Sequence, residues 1–156
     1  MAGVWHLSEP RELLAKLRRE FERMRTAPHD PDHAFNFFVT AESLVDWLHP
    51  GDSAQQRTLR NSDPLLQAVS HLASSAKHFD HLYPHHQAID KTHLAGAPPP
   101  LLMYSLTHFP DHPIQGLHLR VSLTGDAAAS LGQTIEAIDL AGRVLAYWFS
   151  PGRIPP

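Results

Sequence analysis

Apolar residues recur at three- and four-residue steps through Leu13, Leu14, Leu17, Phe21 and Met24, a spacing that predicts a first helix over residues 9–25. Ser8 stands where a cap is expected. After a proline-rich break, Asp30 followed by Pro31 reads as the start of a second helix running to Leu48. On a helical wheel Ala34, Phe37, Phe38, Ala41, Leu44, Val45 and Leu48 make one wide apolar face, and Phe35, Val39 and Trp47 extend it. Such a helix belongs in the middle of a bundle. Residues 49–61 carry no apolar stripe and read as a loop.

Asp63-Pro64 repeats the start signal, and a third helix is predicted to residue 83, with Leu65, Val69, Leu72, Ala76 and Phe79 as its stripe. Pro84 stops it. Residues 85–100 read as a loop. LLMYSLT over 101–107 and LHLRVSL over 117–123 read as two strands of a hairpin, the second alternating apolar and polar positions. A last helix is predicted over 127–149, with Leu131, Ile135, Ile138, Leu145 and Phe149 facing the core. The expected fold is mainly α: one domain over 1–156, a four-helix bundle with a β-hairpin inserted at about 101–123 between the third and last long helices, hence α+β. A two-stranded ribbon is marginal alone, so the hairpin should lie on the helices or pair with a second copy as a homodimer.

Composition narrows the partners. The chain has 156 residues, 42% of them hydrophobic and 19% charged, enough to bury a core. No apolar run approaches the roughly 18 residues of a membrane span, no secretory leader is visible, and a cytoplasmic location with no membrane partner is expected. The absence of cysteine removes disulfides and thiolate metal sites, so any metal must be held by nitrogen and oxygen. A net charge of −3 selects no polyanion, and nucleic acid is not favoured as a partner. The basic residues of helix one suit the dipole at its C-terminal end.

Histidine is the outlier, at 13 residues, several of them close together between His71 and His93. Two metal arrangements follow. In one, His71 and His78 of helix three meet Glu42 and Asp46 of helix two; the acids are one turn apart, about 6 Å along the axis, and the histidines about 10 Å. In the other, His78, His81 and His85 form a local set at three- and four-residue spacing. Zinc, iron, nickel or copper would suit either, and an open coordination position would activate water or dioxygen on a small polar substrate. The paired Glu-x-x-His motifs of di-iron bundles are absent. The plainer alternative is that His71 and His78, about 120° or more from the centre of the helix-three stripe, face solvent or bond to Glu42 or Asp46. No nucleophile elbow, phosphate-binding glycine loop or dinucleotide fingerprint is present.

The stretches AFNFFVTAESLVDWL and SHLASSAKHF, with the closing LRVSLTGDAAASLGQTIEAIDLAGRVLAYW, resemble a group of small uncharacterised bacterial helical proteins without an established activity. The resemblance implies the helix and strand layout and directs attention to Asn36, Asp46, His71, Lys77 and His78. The Lys77-His78 pair is also faintly similar to the HEPN-type helical RNases, although their Arg-x4-6-His motif is missing here. Three readings result: a metal-dependent protein, in one form an enzyme for a small polar molecule; a protein- or RNA-interaction module without catalysis; and a HEPN-like RNase.

Overall fold

A computed structural model of the protein describes residues 7–77, 88–95 and 118–155. The described chain is mainly helical, with a small three-stranded antiparallel sheet. In order it runs α1 (Pro10–Thr26), α2 (Pro31–Leu48), α3 (Ser53–Asn61), α4 (Pro64–Lys77), β1 (Ile89–Ala95), β2 (His118–Leu123), α5 (Gly125–Leu131), β3 (Thr134–Glu136) and α6 (Ala137–Phe149).

The aspartate-proline starts form as expected. Asp30 accepts the Asp32 N–H at 2.8 Å and Asp63 accepts the Leu65 N–H at 2.8 Å, each with proline at the first helical position. At α1 the N-cap is Glu9 instead of Ser8; the backbone N–H and hydroxyl of Ser8 donate to the Glu12 carboxylate, which the Glu9 N–H also reaches at 3.2 Å. These three bonds, that from the Ser8 backbone foremost, hold the Glu12 carboxyl below its ordinary range.

The core is one cluster shared by α1, α2, α4, α6 and the inner face of the sheet. The α2 wheel largely holds: Ala34, Phe37, Phe38, Ala41, Leu44 and Val45 are buried and Leu48 is partly buried, and the helix packs on α1, α3, α4 and α6. Phe35, counted among its extra apolar positions, is 45% exposed. A polar seam joins α1 to α2. Glu20 is buried on α1 and takes Lys16 Nζ at 2.9 Å and Arg23 Nη1 at 2.9 Å, while Lys16 also donates to the Thr40 hydroxyl of α2 at 2.7 Å.

Three expectations are corrected. Residues 53–61 are helix, not loop. The last helix is two helices: Gly132, at φ +95°, ends α5, and the chain crosses the sheet edge as β3 before α6 begins. That interruption resets the helical phase, so Leu140, Ala141, Val144 and Trp148 are buried, while Phe149, expected in the core, is 49% exposed. The third correction concerns residues 85–100, expected as a loop, which contain strand β1. β2 lies centrally with β1 on one side and β3 on the other, pairing Ala95 with His118 and Val121 with both Thr92 and Ile135. One partner of β2 is therefore 89–95, a segment read as loop, whereas the strand expected over 101–107 lies outside the described residues. The alternation in β2 itself is correct, with Val121 and Leu123 buried.

Candidate functional site

Glu42 and Asp46 lie one turn apart on α2, as their spacing requires. Two acids so placed repel unless a cation lies between them, and the cation is Arg60 of α3. Its Nε donates to Glu42 Oε1 in a short contact, and its Nη2 donates to Asp46 Oδ1 at 2.6 Å. The Ser70 hydroxyl of α4 donates to the same Glu42 oxygen at 3.4 Å, so α2, α3 and α4 converge on one carboxylate. Burial opposes the charge on Arg60, but the bonds and charges of Glu42, then Asp46, outweigh it and hold the guanidinium above its ordinary range.

The position of Arg60 follows from local sequence. Asp52 caps α3 by accepting the Gln55 N–H at 3.0 Å, and the Gln55 side chain donates back to Asp52 at 2.8 Å. The Asp52 carboxyl is lowered, first by that backbone bond. The run SAQQRTLR then consists largely of good helix formers. No residue of α3 is fully buried, which is why apolar periodicity passes over it. Its signal is the Asp-x-x-Gln cap, and reading that cap would have brought Arg60 into consideration.

Between α3 and α4 lies a cleft of about 580 Å³ lined by polar residues, including Gln56, Arg57, Arg60, Asn61, Gln67 and Ser70. Arg60 thus has two environments: carboxylates that orient its fork, and a cleft bordered by the same side chain. Arg57, one turn earlier, is exposed on the cleft, with no ion pair among the described residues.

The other sequence-derived candidates are distributed differently. His71 is buried at 4% exposure, because α4 packs against both α2 and the sheet. Its Nδ1 accepts the Ile89 N–H at 2.9 Å, which ties the start of β1 to α4 and leaves only Nε2 for a further contact. Facing solvent, one of the alternatives for His71, is thereby excluded. Asn36 is exposed on α2, and its carbonyl takes the Thr40 hydroxyl at 2.7 Å. His78, His81, His85 and the side chain of Lys77 lie outside the described residues.

Among the described residues, no three His, Asp or Glu side chains converge as a metal site. Arg60 engages one oxygen of each of Glu42 and Asp46. No described helix is long and apolar enough to cross a membrane. No family model, no curated protein and no solved structure matches the chain.

Proposed function

We propose that the protein is a binding module that takes a small polar molecule in the cleft between α3 and α4. The observation that carries this reading is Arg60, whose guanidinium is fixed by Glu42 and Asp46 while it borders the cleft. A prepositioned fork loses less freedom on binding than a loose one, so its remaining N–H groups form better hydrogen bonds to a ligand oxygen. Arg57, Gln56, Asn61 and Gln67 supply further donors and acceptors on the same walls. The cleft volume falls in the usual small-molecule range of about 300–1,000 Å³.

Binding without bond-making is favoured by how the acid and the hydroxyl are engaged. Glu42 is ion-paired to Arg60 through the same oxygen that accepts the Ser70 hydroxyl, so that carboxylate is committed to the guanidinium. The reading is tested by protein-observed NMR with acetate, inorganic phosphate, acetamide and glycerol as probes. Backbone shifts clustered at Gln56, Arg57, Asn61 and Gln67 are expected, and Arg57→Ala should abolish them while leaving folding stability within about 0.5 kcal/mol. Shifts scattered over the surface, or unchanged in Arg57→Ala, would refute it.

A further inference from the structure

The residues lining the α3–α4 cleft specify more than polarity. Arg60 donates from Nε to Glu42 and from Nη2 to Asp46, which leaves Nη1 without a partner among the described residues and not covered from solvent. Arg57 precedes it by three residues on α3, a spacing that sets both side chains on one stretch of helix surface. Two guanidiniums on one wall can converge on a single oxyanion.

The amides of the cleft are oriented by bonds to the main chain. Gln56 Nε2 donates to the His49 carbonyl at 2.8 Å, and Gln67 Nε2 of α4 donates to the Asn61 carbonyl at 3.3 Å. A main-chain carbonyl only accepts, so each bond fixes the NH2 end of its amide and leaves the Oε1 end for another partner. Neither Oε1 is covered from solvent or hydrogen-bonded among the described residues. Both oxygens can therefore accept from the hydroxyl groups of a ligand.

Charge adds a third requirement. Glu42 and Asp46 hold Arg60, no acid is among the described residues lining the cleft, and Arg57 is exposed there without an ion pair among them. A cation would find no carboxylate on these walls. A single negative charge is balanced by Arg57, whereas a second one would be opposed by the two carboxylates already gathered at Arg60.

We propose that the cleft takes a hydroxylated carboxylic acid as its monoanion, with Arg57 and Arg60 Nη1 pairing the carboxylate and the Oε1 atoms of Gln56 and Gln67 accepting from its hydroxyls. This rests on the reading of the cleft as a binding site and names the class of molecule bound there.

The test titrates the full chain at neutral pH with glucuronate, glucuronamide, glucose 6-phosphate and cyclohexanecarboxylate, following the backbone NMR signals of Gln56, Arg57, Asn61 and Gln67. Glucuronate is expected to bind at least about tenfold more tightly than each of the others, and to lose about tenfold in affinity in Arg57→Gln. Equal affinity for glucuronamide would overturn the requirement for charge, and equal affinity for glucose 6-phosphate the limit to one charge. Equal affinity for cyclohexanecarboxylate would overturn the role of the hydroxyls. In each of these cases the cleft would still be a binding site. An Arg57→Gln variant that binds glucuronate as well as the parent chain would overturn the pairing, and signals unmoved by all four probes would overturn both the proposal and the reading beneath it.

Discussion

Two charged clusters among the described residues have opposite construction. At the α1–α2 seam an acid sits at the centre: Glu20 is buried, and its partners Lys16 and Arg23 reach it from positions 33% and 57% exposed. At the α2–α3–α4 junction a cation sits at the centre, and Arg60 is shared between Glu42, whose side chain is 10% exposed, and the half-exposed Asp46. The first cluster is a closed connection between two helices, because the Glu20 oxygens are taken by its partners. The second is bordered by a cleft, and its central residue has donors to spare. A closed cluster serves packing alone, whereas a cluster with an open side can also hold a ligand.

Removing each centre separates the two. Arg60→Ala leaves Glu42 largely buried without its cation, and urea denaturation should register a loss of about 2–3 kcal/mol, less than for a fully buried pair because Arg60 is partly exposed. A loss below about 0.5 kcal/mol would mean that the junction tolerates the removal of Arg60. Glu20→Gln should have a smaller effect, about 1–2 kcal/mol at neutral pH, because Lys16 and Arg23 can both turn to water.

That second difference carries a pH signature. Burial alone would raise the Glu20 carboxyl, but the bonds and charges of Lys16 and Arg23 lower it below its ordinary value of 4.5. A carboxylate with a depressed folded-state value contributes its full stabilisation above the ordinary value and loses it as pH falls through the depressed one. The stabilities of the parent chain and Glu20→Gln should therefore converge on acidification below 4.5, and a gap that persists there would break the comparison. Asp46→Asn is the smallest change, under about 0.5 kcal/mol, because that carboxylate is half in water.

How much of this was legible in the sequence follows the physical character of each segment. α1, α2 and α4 announce themselves through apolar spacing, α2 and α4 also through aspartate-proline caps, and of the predicted α2 face every residue but the partly covered Leu48 is buried. α3 buries nothing completely, so a reading built on apolar period misses it, and with it Arg60. Glu42 and Asp46 were recognisable as a pair, but pairing across helices depends on tertiary placement that spacing within one helix does not contain. The same holds for His71, whose partner is a backbone N–H eighteen residues away in sequence, a donor present at almost every position. β1 was missed because its run IDKTHLA alternates poorly, and its pairing with β2 is interrupted by a register shift between Ile89 and Lys91.

The pairing of Ala95 with His118 spans the whole connection 96–117, whereas α1 and α2 are joined by a short turn and β3 follows β2 with only α5 between them. Closing a long connection sacrifices more chain entropy than closing a short one, and pairings distant in sequence form late. The expected order therefore has α1 and α2 packed before β1 joins the sheet, which pulsed hydrogen exchange would register as late protection of residues 89–95. The imidazole of His71, already placed by α4, is then the latch that receives β1.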